Sequence, residues 1–220
     1  GLPSVLKDVV LAKRGLVIVV GGTGSGKSTT LAAMLGVRNK ETYGHIITIE
    51  DPIEYVHPHV NCLITQREVG VDTDSWHIAL KNTLRQAPDV ILIGEIRDLE
   101  TAEIAVQSSL TGHLVFSTLH TNDAVSAVAR MIDMGVERFL ISSSLRAILA
   151  QRLVRCICQE CKKVRGKISE YMGYKPGGED FNMYRGRGCS SCSDTGYTGR
   201  IGVYEFLVIS DSLGKGISGS

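Results

Sequence analysis

The chain has 220 residues, of which 43% are hydrophobic and 21% charged, so it can bury one core and a small appendage but not two full domains. Its 24 Lys and Arg against 23 Asp and Glu leave a net charge of +1, which gives no bulk electrostatic reason to expect nucleic-acid or membrane binding. No apolar run approaches the ~20 residues that span a bilayer, and the N-terminus lacks the regions of a signal peptide.

The first predicted elements are a buried strand, a Gly-rich loop and a helix. Residues 16–20 form a continuous apolar run typical of a strand buried on both faces, and helix-forming residues run over 28–35. The loop GGTGSGKS between them predicts an ATP site, because its amides can surround phosphates, Lys27 can reach the β and γ groups, and the Ser28 hydroxyl can ligate Mg2+. The predicted nucleotide-binding residues are Gly21, Gly22, Thr23, Gly24, Ser25, Gly26, Lys27, Ser28 and Thr29.

Strands and helices alternate after this loop. The predicted strands lie at residues 45–49, 90–93 and 114–118. The predicted helices lie at residues 99–110, 125–132 and 139–149. Such alternation is typical of a parallel sheet with crossover helices. We therefore predict an α/β fold with a mainly parallel sheet flanked by helices.

Acidic residues follow two of these strands, at the end where parallel strands face a bound ligand. Glu95 follows the third strand, at the usual position of a carboxylate in a magnesium shell. Glu50, Asp51 and Glu54 follow the second strand, and any of them could orient or deprotonate the water that attacks a γ-phosphate. A single acid at a strand end can be a loop cap, but two such groups beside a phosphate loop predict hydrolysis.

Two histidines bracket the fourth strand. His113 precedes it and His120 follows it. A neutral imidazole can donate a hydrogen bond to a γ-phosphate and so report its presence. Each histidine is equally consistent with a satisfied core or interface residue, so the residues alone leave both interpretations open.

Two Cys-x-x-Cys pairs lie near the C-terminus, with 27 residues between them. Four thiolates can close a tetrahedral structural zinc site, which would stabilise a segment with few long aliphatic residues. A pair of redox dithiols is the alternative, although no thioredoxin-like strand precedes either pair. The predicted zinc ligands are Cys158, Cys161, Cys189 and Cys192. Cys156 is a spare thiol that could compete for the metal, and Cys62 is predicted to be a small core residue.

The cysteine segment also divides the chain. We predict an ATPase core over residues 1–154, a loop-rich tetracysteine zinc-binding subdomain over residues 155–199, and a return strand with a truncated C-terminal tail over residues 200–220. Frequent glycines, Gly173 among them, interrupt any long element in the middle segment. Residues 214–220 are expected to fray.

Four sequence boxes resemble those of the secretion ATPase superfamily, the motors of type II secretion and type IV pili (the GspE/PilB/PilT type). The boxes are TIEDPIE at 48–54, GEIRD at 94–98, TGH at 111–113 and TLH at 118–120. The resemblance runs from about residue 1 to residue 207. It implies a RecA-like P-loop core that assembles as a hexameric ring and turns ATP hydrolysis into mechanical work on an inner-membrane platform protein.

The resemblance also implies roles for single residues. By position within the boxes, Glu54 is the general base, Glu95 is the carboxylate that organises magnesium and water, and His120 is the γ-phosphate sensor. Arg97 and His113 would be supporting or intersubunit residues. Members of the superfamily carry an N-terminal domain that packs over the nucleotide and contributes arginines. Because this chain begins just before the first strand of the core, we expect weak hydrolysis and no hexamers from it alone.

Two parts of the chain resemble different branches of the superfamily. GLVI at 15–18 and NTLRQAPD at 82–89 resemble the pilus retraction motors, which lack zinc. The tetracysteine segment and GYTGRIGVYE at 196–205 resemble the assembly and secretion motors. A whole metal subdomain is a larger difference than a few core residues. We therefore predict a motor of pilus assembly or type II secretion, with pilus retraction as the alternative.

Two functions of other classes stay open. One is a binding module in which ATP changes only a docking surface, and Glu54 and Glu95 argue against it. The other is a nucleic-acid translocase of RecA-like architecture, which no basic patch interleaved with aromatic residues supports, since 5% of the residues are aromatic. We expect no nucleic-acid partner, no direct membrane insertion, and a cytoplasmic location that is peripheral to the inner membrane through partners.

Overall fold

The structure is a computed structural model that describes residues 5–168 and 181–219. The chain divides into two compact units, one comprising Gly1–Arg152 and Tyr204–Ser220, and the other comprising Leu153–Val203. We call them the core unit and the cysteine unit. Among the described residues, no helix has both the length and the hydropathy that crossing a membrane requires.

Nine strands and seven α-helices make up the described part of the chain. The helices are α1 (Leu6–Val10), α2 (Lys27–Glu41), α3 (Trp76–Thr83), α4 (Leu99–Leu110), α5 (Ala124–Asp133), α6 (Arg138–Ser144) and α7 (Asp211–Ser218). The strands are β1 (Gly15–Val20), β2 (Gly44–Glu50), β3 (Cys62–Glu68), β4 (Val90–Ile93), β5 (Leu114–Leu119), β6 (Leu145–Ile157), β7 (Lys162–Ile168), β8 (Phe181–Gly186) and β9 (Tyr197–Val208).

Seven of the strands form one sheet, in the order β3-β2-β4-β5-β1-β6-β9. Strand β1 pairs in parallel with β5 and β6, and β2 pairs in parallel with β3 and β4. Strands β4 and β5 are also parallel. The predicted α/β fold with a mainly parallel sheet is therefore confirmed, and the carboxyl ends of β1 to β5 lie along one edge.

Helices cover both faces of this sheet. Leu16, Ile18 and Val20 of β1 pack in one apolar cluster with residues of α3, α4, α5 and α6. Val17 and Val19 pack in a second cluster with residues of α1 and α2. All five side chains are fully buried. A strand that is covered on both faces needs apolar residues at every position, which explains its continuous apolar run.

The predicted strands and helices agree with the structure except for one helix. The four predicted strands lie within β1, β2, β4 and β5, and the predicted helices at 99–110 and 125–132 correspond to α4 and α5. The predicted helix at 139–149 is wrong beyond Ser144, because α6 ends there and β6 begins. Residues 145–150 pair with β1 instead. Helical spacing in a short apolar run does not distinguish a helix from a buried strand.

Other elements depart from the expectations in smaller ways. The segment expected to be rich in loops contains β7 and β8, which pair antiparallel, and Gly173 lies outside the described residues. The tail expected to fray contains α7, which begins where the Ser210 hydroxyl accepts the Leu213 N–H. The polar edge strand β3 and the eight-residue helix α3 were not predicted.

Replacing Leu114 of β5 by Ala is expected to lower the free energy of unfolding by about 2–5 kcal/mol, because the lost side chain leaves a cavity in the core. Leu114 is 0% exposed. Urea unfolding followed by circular dichroism measures the change. Leu63→Ala in β3 is the matched control, because Leu63 is 57% exposed and its loss should cost about 0.5 kcal/mol or less. Equal losses in the two variants would contradict this description of the core.

Candidate active site and cysteine cluster

The phosphate loop lies between β1, which ends at Val20, and α2, which begins at Lys27. Gly26 precedes the helix in a left-handed conformation with a φ of 88°, which glycine adopts without the steric cost of a Cβ atom. The Ser25 N–H donates to the Gly22 carbonyl at 3.2 Å and closes a turn within the loop. The loop therefore leads directly into a helix N-terminus, whose free N–H groups and dipole favour an anion.

The Lys27 ammonium group lies over the loop. Its Nζ donates to the carbonyl oxygens of Gly21 at 2.9 Å and Gly22 at 3.0 Å. Partial burial lowers the pKa of Lys27, and the nearby Glu54 carboxylate raises it in part. Both acceptors are neutral, so a charged phosphate oxygen would be a stronger partner for this ammonium group.

The segment after β2 brings two side chains against the first turn of α2. Ser28 Oγ donates to Glu54 Oε1 at 3.0 Å, and Thr29 Oγ1 lies 2.8 Å from the Tyr55 hydroxyl. Gln66 of β3 holds the same segment, because its Nε2 donates to the Tyr55 carbonyl at 2.9 Å. The Glu54 carboxylate is thus held beside the hydroxyl that was predicted to bind magnesium.

The three acids after β2 have different surroundings. Glu50 Oε1 accepts hydrogen bonds from Thr48 at 2.7 Å and from Gln66 at 3.2 Å. Asp51 is exposed and faces an arginine. Of the three, Glu54 is the one that contacts the phosphate-loop helix. The geometry therefore favours Glu54 among the alternatives that the residues had left open.

Glu95 and His120 follow the neighbouring parallel strands β4 and β5, and so they meet at the carboxyl edge of the sheet. His120 Nε2 lies 3.2 Å from Glu95 Oε2. Arg97 forms an ion pair through its Nε with the other carboxylate oxygen of Glu95, and its Nη1 lies 3.9 Å from Asp51 Oδ2. Arg97 therefore links the acidic groups that follow β2 and β4.

His120 lies near two cationic side chains as well as the Glu95 carboxylate. Burial lowers its pKa, and the charges of Lys27 and Arg97 lower it further. A pKa below the ordinary value favours the neutral imidazole at pH 7, with one nitrogen as a donor and the other as an acceptor. In this form it can donate a hydrogen bond to a phosphate oxygen.

His113 lies at the opposite edge of the sheet. It precedes β5, and its Nδ1 lies 2.9 Å from the carbonyl oxygen of Ser108. The six residues of β5 separate His113 from His120 by roughly 20 Å at ~3.3 Å per residue. The two histidines therefore do not reach the same phosphate within one chain.

The four predicted zinc ligands form a cluster in the cysteine unit, and their Sγ atoms all lie within 4.8 Å of one another. The Sγ–Sγ distances are 3.8 Å for Cys158 and Cys189, 3.9 Å for Cys161 and Cys192, and 3.7 Å for Cys189 and Cys192. Four sulfurs bound tetrahedrally to zinc at ~2.3 Å would lie about 3.8 Å apart. The donor set and its spacing therefore fit a closed zinc site, and Cys156 does not belong to the cluster.

Hydrogen bonds favour the ionised form of some of these thiols. A hydrogen bond from the Thr198 side chain is the main cause that lowers the pKa of Cys158 to about 6, whereas burial raises the pKa of Cys189 to about 11. Cys192 Sγ accepts the N–H groups of Cys189 at 3.3 Å and Gly196 at 3.2 Å. Metal ligation by cysteine requires the thiolate form, so a bound cation would favour ionisation of all four thiols.

The sequence matches a known family over nearly its whole length. A family model described as "Type II/IV secretion system protein" matches residues 3–220. This chain belongs to that family. The match confirms the resemblance to this family that was inferred from the four sequence boxes.

Relatives and a solved structure place the chain more closely within the Type II/IV secretion system protein family. The type II secretion system protein HxcR of Pseudomonas aeruginosa is 48% identical over 214 residues, which are 97% of this chain and 41% of HxcR. The type IV pilus ATPase PilU of the same organism is 58% identical over 159 residues, which are 70% of this chain and 42% of PilU. The chain thus spans about two-fifths of the length of these relatives.

The crystal structure of the pilus retraction motor PilT with bound ADP resembles the present fold. Its TM-score is 0.78 at 38% sequence identity, and the match covers 100% of this chain and 54% of the PilT chain. This likeness supports the assignment of the core unit to the fold of that family.

Two residues that contact the phosphate-loop region were not predicted. Tyr55 directly follows Glu54 in the sequence, and this position beside a predicted site residue is a local signal for it. Gln151 lies on β6 and donates to the Ser25 carbonyl across 126 positions of sequence. No local pattern marks Gln151, because the contact depends on the pairing of β6 with β1.

The pKa of His120 is expected to lie below the ordinary value of about 6.5 for histidine, because burial and two neighbouring cations disfavour its protonation. NMR titration of the imidazole Cε1–H resonance measures it directly. Arg97→Gln removes one of the cations and should raise the midpoint. A midpoint above the ordinary value in the unaltered protein, or one that Arg97→Gln lowers, would contradict the assigned environment.

Proposed function

We propose that this chain is the ATP-hydrolysing motor domain of a type IV pilus assembly or type II protein secretion system. The single observation that carries the proposal is the 3.0 Å hydrogen bond between Ser28 Oγ and Glu54 Oε1. It joins a phosphate loop to a carboxylate that can act as a base, in a chain of the Type II/IV secretion system protein family. Relatives named as ATPases, such as PilU, add support.

The proposed nucleotide site uses the loop from Gly21 to Thr29. Backbone N–H groups and the N-terminus of α2 would bind the phosphates of ATP, and Lys27 would exchange its two carbonyl acceptors for phosphate oxygens. Ser28 and the Glu95 carboxylate, which follow β1 and β4 at the same edge of the sheet, would offer the hard oxygen donors that Mg2+ prefers. Bound Mg2+ would neutralise charge on the β- and γ-phosphates.

We base the proposed role of each residue in hydrolysis on the contacts of its side chain. Glu54 would accept the proton of the attacking water, as a general base held at the N-terminus of α2. Glu95 would orient water and the metal shell, and its charge is balanced by Arg97. His120 would report the γ-phosphate as a neutral donor, since it lies close enough to Lys27 for that charge to lower its pKa.

Glu54→Gln is expected to slow ATP hydrolysis by roughly 10²- to 10⁴-fold, because the amide does not accept the proton of the attacking water. Affinity for ATP should change little, whereas Lys27→Ala should weaken ATP binding itself. Single-turnover assays with protein in excess over labelled ATP measure slow hydrolysis, and calorimetry measures affinity.

Glu103→Gln is the matched control, because Glu103 is exposed on α4 and outside the proposed site. It should hydrolyse ATP at the unaltered rate. If Glu54→Gln also hydrolyses ATP at that rate, Glu54 is not the base. If the unaltered chain binds no ATP, the proposed function itself fails.

A role in pilus assembly or secretion is favoured by the share of this chain that aligns with each relative. HxcR aligns with 97% of this chain, whereas PilU aligns with 70% of it. Pilus retraction is the second candidate, and the likeness to PilT over the whole chain supports it. The deciding experiment expresses the full-length protein in strains that lack each motor and asks whether pilus assembly, pilus retraction or protein secretion returns.

We propose the partners on the same basis. In the full-length protein the chain would form a homo-oligomer, a hexameric ring, and act on an inner-membrane platform protein from the cytoplasm. A nucleotide-dependent binding module is less favoured, because Glu54 and Glu95 add carboxylates that binding alone does not need. A nucleic-acid translocase is less favoured, because the sequence has no basic patch interleaved with aromatic residues. No nucleic-acid partner is proposed.

We also propose a structural Zn2+ ion held by Cys158, Cys161, Cys189 and Cys192. Among the described residues, the apolar cluster of the cysteine unit consists of these cysteines alone. A metal would therefore supply the stability that aliphatic packing supplies elsewhere.

Protein purified without chelator is expected to contain a single zinc ion per chain by mass spectrometry of metals. Cys189→Ser should lose the ion, because a closed tetrahedral site needs all four donors. Cys156→Ser is the matched control and should retain it, since Cys156 lies outside the cluster. Absence of zinc from the unaltered protein, or its loss from Cys156→Ser alone, would contradict the assignment.

A further inference from the structure

Gln151 lies beside the phosphate loop at the carboxyl edge of the sheet. The last residues of the β1–β6 pairing are Val20 and Ala150, so Gln151 follows directly at the point where the chain leaves β1 to form the loop. Its side chain is buried, with 3% of the residue exposed. A buried amide is costly unless its polar atoms are hydrogen-bonded.

Both polar atoms of the Gln151 side-chain amide form hydrogen bonds. Its Nε2 donates to the Ser25 carbonyl at 2.6 Å, and its Oε1 accepts from Thr30 Oγ1 at 2.7 Å. Thr30 is itself buried, at 4% exposed. The two contacts join the middle of the loop to the first turn of α2 through one rigid planar group.

The hydrogen bond to Ser25 also sets the direction of a loop amide. In a trans peptide the C=O and the following N–H point in opposite directions. Because the Ser25 carbonyl points to Gln151 on β6, the Gly26 N–H of the same peptide points away from β6. Gly26 is one of the residues whose amides were predicted to bind phosphate.

The backbone of Gln151 limits the loop at a second point. A Cβ atom added to Gly21 would lie 2.5 Å from the Gln151 carbonyl oxygen, which is closer than van der Waals contact. The backbone of β6 therefore confines the start of the loop while the side chain holds its middle. A loop that is held before the ligand arrives loses less conformational entropy on binding.

We propose that Gln151 is a positioning residue that pre-arranges the phosphate loop for the β-phosphate of a nucleotide. The inference rests on the nucleotide binding given under the proposed function and adds a residue that lies outside the loop motif. The competing explanation is that Gln151 merely satisfies buried polar groups and contributes only to stability.

The test compares ADP affinity with stability in the same variants. Gln151→Met keeps the approximate size of the side chain and removes both hydrogen bonds, and it is expected to raise the Kd for ADP about tenfold, the loss expected for one good hydrogen bond. Thr30→Val removes only the contact at Oε1 and should raise the Kd by less, because Ser25 stays held. Calorimetry gives the Kd, and urea unfolding without nucleotide gives the stability.

Thr83→Val is the matched control for Thr30→Val. Thr83 is buried at 1% exposed and its hydroxyl donates to the Ala79 carbonyl at 2.9 Å on α3, away from the loop. It should lose stability and keep the ADP affinity of the unaltered protein. If Gln151→Met does not fold, the Thr30→Val and Thr83→Val pair decides the question by itself.

Two results would overturn the proposal. One is an unchanged Kd for ADP in Gln151→Met or, if that variant does not fold, in Thr30→Val. The other is an equal loss of ADP affinity in Thr30→Val and Thr83→Val, which would make the effect one of stability. An unaltered chain that binds no ADP is a different outcome, because it overturns the proposed function from which this inference starts.

Discussion

The parallel pairing of β2, β4, β5, β1 and β6 is the constraint on which the candidate site depends. Because these strands run in one direction, the segments that follow them meet at one edge of the sheet. The phosphate loop follows β1, Glu54 lies in the segment after β2, Glu95 follows β4, and His120 follows β5. Gln151 lies within β6, directly after the last residue of that strand that pairs with β1. Side chains from distant parts of the sequence therefore come together at this edge.

The polar groups at this edge contact one another. Lys27 donates to loop carbonyls, Ser28 donates to Glu54, and Arg97 pairs with Glu95. A bound nucleotide would have to replace some of these contacts, so its affinity would be the difference between the new interactions and the ones that they displace. The same contacts keep opposite charges a few ångströms apart, which is consistent with a site that holds its groups ready for a triphosphate and a divalent cation.

The two units are stabilised in different ways. The core unit buries long aliphatic side chains on both faces of a sheet, so hydrophobic burial is its main source of stability. In the described part of the cysteine unit, the buried apolar cluster is made of Cys158, Cys161 and Cys192 with the partly buried Cys189. Small units with so little aliphatic packing generally need a metal or disulfides, and the sulfur spacing fits the metal.

The strands at 16–20 and 90–93 could be predicted because each is a continuous apolar run, as burial on both faces requires, and those at 45–49 and 114–118 because they are rich in apolar and β-branched residues. The sequence by itself also determined the phosphate loop and the cysteine cluster, since their residue types and spacing carry the chemistry locally. Three features could not be predicted locally: the strand that begins after Ser144, the contact of Glu54 rather than Glu50 with α2, and the hydrogen bond from Gln151 to the phosphate loop. These outcomes depend on which strands pair, and pairing brings together residues that no local pattern connects.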